Sequence, residues 1–185
     1  MAIFHDSPPP PLSAAALVEL KAHLGLTTDS NDALLYGYLR TALCLCEGFI
    51  GQSVLQRTIT HRLVMHHAQQ ALPHRPVFAI QGVSKAGPNG SATPLPISGY
   101  SIDIDIAQKG YVRLNGPLPV LEPGEYIVAD YIAGLASEWT YLPDSLRQGI
   151  LLLAAHLYDQ PRDTGGHPPA AVTALWRPWR QLRVA

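Results

Sequence analysis

The sequence predicts an α+β fold, mainly α. It is a small bundle of three main helices with an antiparallel β insertion between helices two and three and an extended C-terminal arm. Two observations carry this. Apolar residues recur at a spacing near 3.6 over 14–50 and again over 144–159, but alternate over much of 54–133. Gly, Pro and Asn clusters punctuate the middle region and set the last residues apart. The organisation is a leader (1–12), one domain (13–160), and a linker with an arm (161–185).

Pro8–Pro11 make the leader extended and poorly ordered by itself. Ser13 offers an N-cap to helix one, 14–24, whose stripe is Ala16, Leu17, Leu20 and Leu24 and whose left-handed stop is Gly25. Asp29 or Ser30 caps helix two, 31–50. Its stripe reads Leu35, Tyr38 or Leu39, Ala42, Leu45 or Cys46, and Phe49, and Gly51 ends it. Gly37 and Gly48 each cost about 1 kcal/mol of propensity, which close approach by a neighbouring backbone would justify. Cys44 and Cys46 fall on different sides of the helix and read as small buried apolar residues.

Five strands are expected in the β module, 54–133: 57–64, 77–83, 100–106, 111–114 and 125–132. The third is the cleanest, with Ile102, Ile104 and Ile106 on one face and Asp103 and Asp105 on the other. Pro143 opens helix three, 144–159, where Leu146, Ile150, Leu153 and Leu157 share a face widened by Leu151, Leu152 and Tyr158. A helix apolar nearly all round is central to a core or covered by another subunit. Pro161 stops it, Gly165–Pro169 form a flexible linker, and a short helical stretch, 170–176, opens the arm.

The 185 residues are 47% hydrophobic and 15% charged, the balance of a globular chain. No apolar run reaches the roughly 18 residues a bilayer span needs. The first residues lack the basic and apolar regions of a secretory signal, so a soluble, cytoplasmic protein is expected, with no membrane partner. Net charge is −1, unevenly placed: residues 161–185 hold four arginines against one aspartate, and residues 1–160 hold nine basic and thirteen acidic residues.

Nothing in the sequence asks for catalysis, a metal or a cofactor. His61, His66, His67 and His74 cluster without metal-ligand spacing, and no H-E-x-x-H, C-x-x-C, nucleophile elbow or phosphate loop is present. Asp103 and Asp105 could be paired acids, but read more simply as a solvated strand face. The arm differs. Leu175, Trp176, Arg177, Trp179, Arg180, Leu182 and Arg183 combine the residue types most enriched at interface hot spots. It either packs back on its own domain or docks on a partner or a neighbouring subunit. A nucleic-acid role for the basic arm is a further alternative.

The order of parts resembles the head–tail connector (adaptor) proteins of long-tailed phages and phage-derived gene transfer particles. The resembling residues are Leu20–Leu24, Asp32–Leu35 and Cys46–Gly51, then Leu142–Tyr158, which is the nearest match, and Leu175–Arg180. The proline leader and the Gly165–Pro169 linker have no counterpart in that pattern. The resemblance implies a non-catalytic virion protein made in the host cytoplasm and then part of the particle neck. It implies a ring, with twelve subunits, beneath the portal. Helices pack side by side, the C-terminal arm inserts into the portal, and double-stranded DNA passes through the channel without sequence-specific contact. A stopper or neck protein docks on the tail side. A stopper or tail-completion protein is the alternative reading, and those are mainly β.

Overall fold

The computed structural model describes residues 5–6, 10–64, 69–88, 90–116, 119–160 and 168–181. Four α-helices and two antiparallel sheets form two compact units, one from Pro9–Gln56 with Leu135–Ala185, the other from Met1–Pro8 with Arg57–Gly134. The stretch read as one domain, 13–160, therefore contributes to both.

In the helical unit, α1 (Ala14–Leu24) and α2 (Asp32–Ile50) stop where the sequence places left-handed glycines. Gly25 has φ 68° and Gly51 φ 71°, and the N–H of Leu26 reaches back to Lys21 O at 2.9 Å. Ser13 holds the expected N-cap position of α1 but makes no side-chain cap bond. The N-cap of α2 is Asn31 rather than Asp29 or Ser30, and it makes none either. Lys21 instead ties the α1–α2 corner, donating to Asp29 at 2.5 Å and Asp32 at 2.9 Å. The Asp29 bond is the main reason the Lys21 pKa is raised, and the same bond lowers that of Asp29.

α2 is long and apolar enough, by length and composition alone, to cross a membrane. Its buried stripe, Leu35, Leu39, Ala42, Leu43, Cys46 and Ile50, packs in the helical core, as in a core helix of a globular protein. Leu45 is instead exposed, and so is Cys44; only Cys46 is the small buried residue expected, its thiol pushed up by burial. Gly37 and Gly48 lie on the outer face, where a Cβ would meet nothing within 4 Å, so no backbone among the described residues makes the close approach.

α3 (Asp144–Asp159) is central, packed by α1, α2 and a fourth helix, α4 (Ala170–Trp176). That arrangement explains why it is apolar nearly all round. Leu146, Ile150 and Leu153 are fully or almost fully buried; Leu157, expected to match them, is only partly so. The three main helices of the sequence reading are thus joined by the short helix expected over 170–176, and the described part of the arm packs on the helical unit rather than extending from it.

The β unit carries more strands than alternation alone revealed. A five-stranded sheet runs β1 (His5–Asp6), β2 (Arg57–Arg62), β8 (Tyr126–Ala133), β4 (Val77–Ala86), β5 (Ala92–Pro94) in spatial order. A three-stranded sheet runs β3 (Gln69–Ala71), β7 (Gly110–Leu114), β6 (Tyr100–Ile104). Strands β1, β3 and β5 are two or three residues long, too short to show a period. Central β8 pairs Tyr131 with Ile59 and with Ile80. Around it Ile59, Val83, Ile127 and Tyr131 join Leu72, Val77 and Val112 in one core. The isoleucine face of β6 departs from expectation: Ile102 and Ile104 are 48% and 39% exposed, and Ile106, just past the strand, is fully exposed.

Candidate partner interface

The C-terminal segment is built onto the helical unit residue by residue. Pro169 precedes α4 with φ −50°, close to the value a proline ring imposes. Val172 and Trp176 fall four apart on the inner face and are buried. The Trp176 indole lies directly on Gly149 of α3. A methyl group there would overlap Nε1 and lie 2.8 Å from Cδ1 and 3.0 Å from Cε2. Gly149 is therefore the notch that admits the ring, and Phe49 closes it from α2 with ring centroids 5.9 Å apart. The indole N–H has no acceptor among the described residues, so the seat is held by packing rather than by a hydrogen bond.

Beyond α4 the chain makes a 3-10 turn over Arg177–Trp179 and is fastened at three points. Trp179 Nε1 donates to Ser145 Oγ at 2.9 Å, Gln52 Nε2 donates to Trp179 O at 2.7 Å, and the N–H of Gln181 donates to Ile50 O at 3.0 Å. Arg180 stacks over Phe49, 5.6 Å from its centroid. The outcome is a braced segment that leaves Arg177 and Arg180 exposed.

The residues singled out from sequence thus separate. Trp176 lies in the core, Leu175 and Trp179 are partly buried against it, and Arg177 and Arg180 face outward. Leu182 and Arg183 lie outside the described residues. Ser145, Gln52 and Gly149 had not been singled out. A glycine inside the most apolar helix was the one signal pointing to Trp176.

Other candidate groups do not converge. Asp105 organises the β6–β7 turn, its carboxylate accepting from the N–H of Lys109 at 2.9 Å and the O–H of Tyr111 at 3.3 Å, which leaves Asp103 exposed without an acid partner. His61 is buried, and His66 and His67 lie outside the described residues. Among the described residues no three His, Cys, Asp or Glu side chains are placed to hold a metal ion.

The helical unit thus closes its core with its own C-terminal segment and carries Arg177 and Arg180 on the outside of it, an architecture of packing and surface with no reaction centre among the described residues. Residues 14–109, just over half the chain, match the model of the phage gp6-like head-tail connector protein family, and the chain belongs to that family. Its function is that of a head–tail connector, a structural part of a phage-type particle. No curated protein matches it. Solved structures do. The chain is similar to one in the neck of an empty GTA particle computed with C6 symmetry, with 28% identity, 100% of this chain and 98% of that one covered, and a TM-score of 0.75. It is similar to another in the virion of a native gene transfer agent particle, at 28% identity, the same coverage and TM-score 0.74. A third lies in the neck of a native GTA particle computed with C12 symmetry, at 29% identity, again with 100% and 98% covered, and TM-score 0.72.

Proposed function

We propose that this chain is the adaptor of a particle neck, forming a ring of twelve copies under the portal that extends the DNA channel toward the tail. The likeness over its whole length to chains from necks with C6 and C12 symmetry carries this reading. The chain is made in the host cytoplasm and joins the particle on assembly. The duplex passes without sequence-specific contact, in keeping with a net charge of −1, and a stopper or other neck protein docks on the tail side. No catalysis is required.

The portal contact runs through the exposed side of the C-terminal segment: Arg177 and Arg180, with Leu182 and Arg183 following. Leu175, Trp176 and Trp179 serve it by fixing the support. Arginine held on a rigid scaffold loses little freedom on pairing with carboxylates or carbonyls. Removing residues 170–185 would also remove Trp176 from the core, so charge reversal is the cleaner test. An Arg177→Glu/Arg180→Glu variant should fold normally, yet co-sediment with portal-bearing heads at least about tenfold more weakly. Equal binding would move the portal contact elsewhere on the chain.

A further inference from the structure

We propose that the outer edge of β6 is a docking strand for the next copy of this chain round the ring; the proposal rests on the ring reading above. β6 pairs with β7 in unbroken register from Tyr100↔Leu114 to Ile104↔Gly110, and no strand among the described residues pairs with its other edge. In an antiparallel ladder, alternate residues turn their N–H and C=O groups outward, so an unpaired edge of this length offers a template for another strand.

Proteins blunt such edges with short strands, proline, bulges or charge. The other three sheet edges here are blunted. β1 has two residues, β3 has three, and β5 has three including Pro94. β6 has five, with no proline, no bulge and no basic residue, and Asp103 is its only charge. Its apolar face is also unfinished. Ile102 stands opposite Val112, which is 2% exposed, and Ile104 follows on the same face, so the core layer under β7 runs off the sheet onto two exposed isoleucines, with Ile106 beyond them.

A second copy is the occupant that cyclic symmetry supplies. Self-pairing of β6 with β6 across a two-fold axis closes at two subunits, whereas a ring repeats one heterologous contact. The edge of β6 therefore meets a different segment of the neighbour, which also covers Ile102 and Ile104.

Amide hydrogen exchange on the full-length protein, free and assembled on portal, tests this. Native mass spectrometry reports the ring. Expected is at least about tenfold slower exchange over 100–106 in the ring than in the free subunit. An Ile102→Lys/Ile104→Lys variant, altered only at exposed positions, should melt like wild type and need at least about tenfold more subunit to form rings. Rings whose 100–106 amides still exchange fast, or a double-lysine variant that assembles normally, would overturn the edge proposal and leave the connector reading standing. Protection that appears only when a tail-side neck protein is added would overturn it too, by assigning the edge to that protein. A wild-type chain that forms no ring on portal would remove both.

Discussion

Gly149 decides whether the C-terminal segment stays seated, and replacing it by alanine gives a sign opposite to the usual one. At an exposed helix position Gly→Ala stabilises by up to about 1 kcal/mol through propensity. Gly37 and Gly48 meet that condition, with nothing within 4 Å of their Cβ positions. At Gly149 the added methyl would overlap the indole nitrogen of Trp176 and sit within 3.0 Å of two ring carbons. The ring is fully buried and cannot give way locally. If the indole shifts and stays, overpacking costs about 1–3 kcal/mol. If it leaves, the loss approaches the about 3–5 kcal/mol of a core Trp→Ala change. Set against a propensity gain of up to about 1 kcal/mol, the net destabilisation is about 0–2 kcal/mol in the first case and about 2–4 kcal/mol in the second. Urea denaturation followed by tryptophan fluorescence measures it, since Trp176 is one of three tryptophans in the chain. Expected are a lower midpoint and a red-shifted native spectrum for Gly149→Ala, with a raised midpoint for Gly37→Ala. A Gly149→Ala variant stabilised as much as Gly37→Ala would refute the notch.

Leu153→Asp places a charge at a 2% exposed core position and should unfold the helical unit, at a cost of several kcal/mol, read as lost helical circular dichroism. A thiol reagent should modify Cys44 quickly and Cys46 only after denaturation, because burial holds the Cys46 thiol protonated; two equally fast thiols would contradict the packing of α2. Glu125 has a lowered pKa, first because the N–H of Glu122 donates to its carboxylate at 2.7 Å and then because Lys85 pairs with it at 3.0 Å. Its contribution is present above the ordinary value of 4.5 and fades as pH falls through the lower folded value, so Glu125→Gln should flatten the acid limb of the stability profile. Ser145→Ala removes the acceptor of Trp179 Nε1 and should cost about 1 kcal/mol.

The helical half was largely legible because its signals are local. Gly25, Gly51 and Pro143 stop or start helices through their own backbone preferences, wherever the rest of the chain goes. Alternation found the five longer strands for the same reason, since strand geometry puts successive side chains on opposite faces. Strands of two or three residues carry too few positions for a period, and β1, β3 and β5 passed unseen.

What the sequence by itself determined is which residues share a face: Leu146, Ile150 and Leu153 on α3, and Ile102 and Ile104 on β6. What covers each face was decided only by the tertiary structure. The same apolar pattern became a core in α3, enclosed by three helices, and an uncovered edge in β6. The tryptophans divided in the same way. Trp176 and Trp179 both read as partner anchors, yet Gly149, 27 residues upstream of Trp176, admits one indole into the core while Ser145 holds the other at its margin. Periodicity fixes the direction of a side chain relative to its own backbone. The room it finds there depends on a distant part of the chain, and that pairing exists only once the fold has formed.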